Sequence, residues 1–539
     1  MSKQPLSQPF DTDVAIVGTG PVGTLLAILL GQKGHRVTLL ERWPEPYDLP
    51  RAVTFDHEIA RILSELGIDS DNDSAINYHD ELYYWKNAEG ENISIVDWQS
   101  TSASGWRVRY WFYQPELEKR LRDLAADIPA IRMVRGWEAS SLTQDAHGVT
   151  LGGEVDRQHN PGNEVPDTIR ARYVVGADGA NSFVRQALEL PMTDKGFFYD
   201  WLIVDMIPRG EYEMSPAQWQ LCDPKRPTTI VPGGPGRRRW EFMALPGETA
   251  EELGRDDTAW KLMEPWGMTP ANATLERSAV YRFQARWCEQ WHKGRAIIAG
   301  DAAHLMPPFA GEGMCAGLRD AVALGWRLDG MLSGRFTDGV LDSYTSERKE
   351  HVKHYIEFSM WLGEIICITD PAEAAERDRR MKADLEASGG EPVPTDKAAL
   401  GPGIWCEDAP HGGELSVQGV VAANGKHDRF DEAVGRGWMV IGLDASPEEA
   451  LTAVQLEQLE RLGGRTVRLG APGTHCDAED LEGAYARWLN EIDATFVMIR
   501  PDYYVAAAAN SAEALRGQFD RIIGRLHLQA PAQPARHCA

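Results

Sequence analysis

No CxxC pair occurs among the seven cysteines, which stand apart at 222, 288, 315, 367, 406, 476 and 538. That spacing excludes dithiol redox chemistry and thiolate metal clusters, and scattered free thiols fit a reducing cytoplasm. Long apolar runs are also missing. Residues 14–30 come nearest, but Gly18, Gly20, Pro21 and Gly23 break them, so no membrane span is expected. The polar N-terminus carries no signal-peptide pattern. Positive charge is scarce: 55 Lys and Arg stand against 81 Asp and Glu, a formal net charge of −26. This argues against nucleic acid and anionic membrane surfaces as partners, and an anionic ligand would need a local Arg cluster. Metal-ligand spacing is lacking too. His351 and His354 sit at i, i+3 without a third ligand, so an exposed helix face and no metal are expected. No internal repeat is present. What remains is a chain of 539 residues, enough for about three domains, with 18 Trp, some expected to line an aromatic pocket.

The densest signal runs from Gly294 to Leu328, GRAIIAGDAAHLMPPFAGEGMCAGLRDAVALGWRL. Arg295 to Ala299 reads as a buried strand, ended by Gly300 and Asp301. An acid at the C-terminal edge of a strand lies where open α/β sheets bind ligands. His304 to Gly313 is a loop with two prolines and two glycines, and helical spacing begins at Met314. The glycines allow close backbone approach, and the helix start offers free N–H groups to an anion.

A second signal opens the chain. The strand Asp13 to Val17 leads into GTGPVG, with Gly18, Gly20 and Gly23 flanking Pro21 and Val22, and then a helix. The next strand ends in Glu41, 23 residues after Gly18, followed by Arg42. Strand, glycines, helix and acid together meet the context test for an ADP-containing cofactor, and the acid favours a free ribose 2′-OH. A third signal is the strand Ala171 to Val175 ending in GADGANSFVR, which delivers Asp178 into a Gly-rich turn. Four further residues are open to a functional or a bland reading on local grounds. Arg51 reaches a pyrophosphate or is a surface arginine. Gln114 faces a ligand at a helix start or is a simple cap. Arg109 meets a substrate carboxylate or is a surface arginine. Asp56, beside His57, faces the ring as a base or merely opens a helix, and the latter is preferred.

Residues 1–80, 113–189 and 286–370 read as three parts of one nucleotide-binding domain. Segments 81–112 and 190–285, rich in aromatic strands, read as a separate sheet facing the cofactor. Residues 340–368 read as a long helix with Trp361, Ile365 and Ile366 on its apolar side. Residues 371–405, charged and then Gly/Pro-rich, read as the linker to a small α/β unit at 406–539.

The order GTGPVG…Glu41, GADGANSFVR, AGDAAHLMPPFAGEGMCAGLRDA resembles that of the single-component FAD-dependent aromatic hydroxylases. DLPRAVTFDHE, YQPELEKRL, WLIVDM, CDPKRP, RRRWEFMALPGET and RPDYYVAA extend the likeness to the 3-(3-hydroxyphenyl)propionate hydroxylases over nearly the whole chain. The resemblance implies an α/β, α+β multidomain fold: a Rossmann-like FAD domain, an inserted mainly antiparallel substrate sheet and a thioredoxin-like C-terminal domain. It implies non-covalent FAD, NADH or NADPH as co-substrate, O2, and a phenolic substrate hydroxylated through a flavin C4a-hydroperoxide. By the same resemblance Gly18, Gly20 and Gly23 seat the pyrophosphate and Glu41 the ribose, and Arg51 and Gln114 contact FAD. Asp178 and Gly179 fall in a motif tied to both FAD and NAD(P)H. Asp301 binds the ribityl or pyrophosphate portion, and Pro308, Gly311, Gly313 and Met314 border the isoalloxazine. Without CxxC the C-terminal unit is expected to be structural or dimer-related. A larger aromatic or polyketide-like substrate, and a non-catalytic FAD-binding protein, are the alternatives.

Overall fold

The computed structural model describes residues 10–529 apart from 163, 211 and 213. The first sheet is parallel at its centre. Thr12–Val17 lies between Val37–Glu41 and Thr168–Gly176, and Ala296–Ile298 pairs outside the latter. All these strands are almost wholly buried at their paired ends, as expected of continuous Val/Ile/Leu runs covered on both faces. Two helices pack over it, Pro21–Gln32 and Gly313–Leu332. Gly317 lets them touch: a Cβ there would run into Val22 and the Gly300 Cα.

The second sheet has eight strands. Its spine is a pair of long antiparallel strands, Met192–Pro208 and Ala273–Cys288. Arg238–Met243, Thr228–Pro232, Trp219–Leu221, Tyr83–Lys86 and Asn92–Val96 extend it on one side. The expected strands are present, but Ala273–Cys288 was not among them. Its interior mixes Arg277, Tyr281, Arg282, Gln284 and Arg286 with Ser, Ala, Val and Phe, which hides a half-buried strand. Arg109–Phe112 departs from the expected grouping as well. It pairs with Thr54–Asp56 and Ile76–Asn77 in a separate three-stranded sheet, where all four of its residues are buried.

The expected linker is half helix. Asp370 caps Pro371–Ala387 by accepting from the Ala372 and Glu373 N–H groups, and a proline at the first turn suits that start. Arg377, buried, donates to the Cys222 and Ile365 carbonyls and ties this helix to the second sheet. The long helix is Val340–Ile366. Two expectations on it are corrected. Trp361 is 54% exposed and stacks on Phe358. His351 is buried rather than surface-facing, between Arg348 and the Tyr504 hydroxyl. His354 is exposed and pairs with Asp396.

The C-terminal unit holds a seven-stranded sheet in which Met439–Leu443 is flanked by parallel Arg465–Gly470 and antiparallel Phe496–Ile499, a thioredoxin-like order. It is joined to the rest through buried ions. Glu347 accepts from Arg500 at 2.7 Å and Arg327 at 2.5 Å. Arg61 meets Asp431 at 2.7 Å. The Tyr504 hydroxyl donates to Glu58 at 2.9 Å. No disulfide is present among the described residues.

Candidate active site

A continuous cleft runs from the first sheet to the second. Its inner part is a cavity of about 370 Å³. Its outer part, about 230 Å³, lies over the ends of Thr12–Val17 and Val37–Glu41. Gly20, Pro21, Arg51, Gln114 and Gly179 belong to both walls.

The outer part is shaped by backbone. Gly18 has φ +106, and a Cβ there would collide with the Ala177 carbonyl. Gly23 would collide with the Gly18 carbonyl, so helix and turn are locked together. At Gly20, which lines both parts of the cleft, a Cβ would meet nothing within 4 Å, so the cleft is open to a ligand there. Glu41 is oriented by the Thr19 N–H at 3.2 Å and hydroxyl at 3.0 Å, and by the Trp43 N–H at 3.1 Å. Arg42 lines this end and stacks on Trp43. Asp178 also lines it. One of its oxygens accepts from the Val184 N–H and the other has no partner, and burial raises its pKa.

At the waist, the Gln114 amide oxygen accepts from the Arg51 N–H at 2.9 Å and the Ala52 N–H at 2.7 Å. Its side chain therefore fixes the loop carrying Arg51 while it borders the cleft. Arg51 lies over the Tyr47 ring.

The inner cavity is where the 300–314 stretch converges. Asp301 sits deep in the molecule yet opens to the cavity; burial raises its carboxyl, opposed by His304 and Arg51. Val22, Gly300, Pro308, Gly311, Gly313 and Met314 line the same space. Gly311 adopts φ +70 and packs on Thr54. Helix Gly313–Leu332 begins here with no side chain capping its first N–H groups. Its positive end therefore faces the cavity. The opposite wall comes from the second sheet and its neighbours: Tyr83, Trp98, Trp111, Thr229, Arg239 and Glu241.

Asp56, His57 and Arg109 lie outside these walls. The less preferred reading of Asp56, as a base facing the ring, is corrected by its partners. One oxygen caps helix His57–Glu65 through the Glu58 and Ile59 N–H groups, and the other meets Arg319. Burial alone would raise Asp56, but Arg319 overrides it and holds the carboxyl low. Arg319 also pairs with Glu58 at 2.6 Å and Glu312 at 3.0 Å. Glu312 is raised by burial and then by Asp56. Asp56, Glu312 and Cys315 converge like metal ligands, but the Arg319 guanidinium already supplies the positive charge there. Arg109 is buried against Glu312 at 3.3 Å and stacks on Trp98 from behind the wall.

Sequence reasoning missed Glu241, Tyr83 and Trp98. The signal for Glu241 was present in RRRWEFM: an acid between Trp240 and Phe242 in a strand must point to the face opposite theirs.

The geometry is that of a dinucleotide-binding flavoprotein with a second sheet closing the ring end of its cleft. Residues 11–359 match the FAD binding domain family and residues 413–521 the HcaD C-terminal domain. The chain is 34% identical over 524 residues to a probable NADH-specific resorcinol 4-hydroxylase of Rhodococcus jostii (strain RHA1), covering 97% of this chain and 96% of the relative. It is 30% identical over 590 residues to a 3-(3-hydroxy-phenyl)propionate/3-hydroxycinnamic acid hydroxylase of Paraburkholderia xenovorans (strain LB400), covering 97% and 92%. The chain thus belongs to the family of FAD-dependent aromatic hydroxylases that carry the HcaD-type C-terminal domain. Its fold is also that of aklavinone-11 hydroxylase, solved with FAD and aklavinone, at TM-score 0.76, 22% identity and coverage of 96% of this chain and all (100%) of that one. The residues present fit FAD. Gly20 leaves the cleft open at the helix start, Asp301 offers a carboxyl to the cavity, and an uncapped helix end faces the ring position.

Proposed function

We propose that this protein hydroxylates a phenolic ring, taking one atom of O2 and using NADH or NADPH as reductant. The observation that carries this reading is the single cleft joining a dinucleotide cradle to an aromatic-walled cavity. When bound, FAD supplies the hydride acceptance and oxygen activation that side chains cannot. The chain's own residues do the rest. The Gly18–Gly23 turn and the start of helix Pro21–Gln32 receive the pyrophosphate, and Glu41 the ribose hydroxyls. Arg51, held by Gln114, reaches toward the same phosphates. Asp301 takes a hydroxyl of the sugar chain. The free N–H groups at Gly313 and Met314 stabilise negative charge on the ring edge. Pro308 and Gly311 shape the loop along that edge, while Trp98, Trp111 and Phe309 keep water from the reacting face. Among the described residues the first sheet holds one strand–GxGxxG–helix unit, so the nicotinamide donor binds transiently.

A larger polyketide-like substrate is the second reading. It is disfavoured by volume. Ligand cavities run from roughly 300 to 1,000 Å³, and this one of about 370 Å³ lodges a flavin ring as well. The test is NADH consumption by FAD-loaded protein with and without simple phenols, scoring hydroxylated product against hydrogen peroxide. Several-fold stimulation with near-stoichiometric product is expected. Bound FAD with no stimulation by any phenol would overturn the reading.

A further inference from the structure

We propose that Glu241 receives the proton of the substrate's ring hydroxyl, that Tyr83 donates a hydrogen bond from elsewhere on the same cavity wall, and that these two groups select a single-ring phenol bearing no anionic substituent. The inference rests on the hydroxylase reading and narrows it to a substrate class.

Glu241 is placed by strand alternation. In Arg238–Met243, Trp240 and Phe242 enter the core behind the second sheet, while Arg239 and Glu241 turn to the cavity. Its cross-strand neighbours are Ile203 and Thr229, so no charge lies directly opposite. Among the described residues its carboxylate makes no hydrogen bond. Arg239 Nη1 comes no nearer than 3.8 Å, and that guanidinium is already committed. Its Nε and Nη2 meet Asp205 at 2.6 and 2.9 Å, and its Nη1 donates to the Arg51 carbonyl at 2.6 Å. Its side chain is 15% exposed and opens to the cavity, so its oxygens stand free to accept from a ligand. Burial raises its pKa, opposed by Arg239 and reinforced by Asp205, which suits an acceptor for a phenolic proton. Tyr83 lies three strands further along the same sheet and lines the same cavity, its ring stacked on Trp98 at 3.9 Å between centroids. Burial keeps its hydroxyl protonated, so the wall that carries Glu241 as an acceptor also carries a donor.

The charge inventory then fixes the substrate class. Arg51 and Arg239 are the cations in the inner wall among the described residues. Arg51 stands at the waist, shared with the dinucleotide end. Arg239 is saturated as above. Arg109, the residue expected to meet a substrate carboxylate, is turned to Glu312 behind Trp98. A phenol carrying a carboxylate would therefore meet Glu241 at the ring end, where the wall's cation, Arg239, is committed to Asp205 and Arg51 stands off at the waist. A neutral polyhydroxy ring would meet one acceptor and one donor. In the step, the ring O–H bond breaks and the proton passes to a Glu241 oxygen. The electron pair stays on the ring oxygen and enriches the ortho and para carbons that accept oxygen. The proton returns to the product or to solvent.

The test uses FAD-loaded enzyme with resorcinol and 3-(3-hydroxyphenyl)propionate as probes, measuring kcat, KM and product yield for each. Resorcinol is expected to exceed the carboxylated phenol in kcat/KM by about 10²-fold. Glu241→Gln should lower kcat for resorcinol by about 10²-fold. KM should move little, the bound FAD and its absorption spectrum should be unchanged, and the acidic limb of the kcat–pH profile should disappear. Tyr83→Phe should raise KM by about 5- to 10-fold. Tight, fully coupled turnover of the carboxylated phenol would overturn the inference while leaving the hydroxylase reading intact. So would a Glu241→Gln enzyme within about threefold of wild-type kcat. If neither phenol stimulates NADH oxidation, the hydroxylase reading falls and this inference with it. The substrate comparison needs only wild-type protein, so it stands even where a variant folds poorly.

Discussion

The two ends of the cleft are made of different material. At the dinucleotide end the surface is mostly backbone: a turn at Gly18–Gly23, a strand end at Glu41, an uncapped helix start at Gly313. At the ring end it is side chains on an antiparallel sheet, where Tyr83, Trp98 and Glu241 come from separate segments. Backbone surfaces bind what every member of a cofactor class shares. Side-chain surfaces discriminate, because one substitution changes one contact without moving the strand that carries it.

The largest expected contrast lies within the backbone end itself. Gly18→Val should cost roughly 2–5 kcal/mol, from positive-φ strain plus a clash with Ala177, and should leave protein that unfolds at low temperature or does not accumulate. Gly20→Val meets open space. It should fold with a Tm near that of the apoprotein yet purify colourless. Differential scanning fluorimetry and the flavin absorbance separate the two, and equal Tm losses for both would erase the contrast.

A second contrast sets both ends against the buried layer beneath them. Burial pushes His57 down to about 4, more than Asp56 lifts it. The unfolded chain therefore binds the extra proton between about pH 6.5 and 4, and stability rises with pH through that window. His57→Gln, which can keep a contact to Ser104, should flatten the slope by up to about 3 kcal/mol. Chemical denaturation at pH 4.5 and 7 reads it; an unchanged slope would mean that His57 is hydrated.

The smallest effect is expected at the waist. Gln114→Ala removes an acceptor shared by two backbone N–H groups. Each such bond is worth about 0.5–1.5 kcal/mol, so FAD should bind about 10- to 100-fold more weakly. Turnover at saturating FAD should stay near wild type. Fluorescence titration of the apoprotein measures the first, and a large loss of kcat would move Gln114 into the ring end of the comparison.

The same division explains what the sequence made legible. Gly18, Glu41, Asp178 and Asp301 follow strands at fixed offsets, so local spacing alone brings them to one sheet edge. Glu241 and Tyr83 lie far apart in the chain and reach one cavity wall only through the strand order and register of the second sheet, which spacing does not encode. Asp56 follows the flavin-side loop in sequence, but Arg319 arrives from a distant helix and claims its carboxylate. The segment 371–405 has a linker's composition, yet Asp370, Pro371 and Arg377 make half of it a docked helix.

Glu347, gripped by Arg327 from its own domain and by Arg500 from the C-terminal unit, bears on how such chains can be recombined. Exchanging everything after residue 405 with a relative would strand a buried carboxylate and a buried guanidinium on the recipient side unless the donor brings the matching arginine and acid. The workable crossover is therefore set by which ions travel together, and a cut placed in the apparent linker by composition alone divides a single inherited unit.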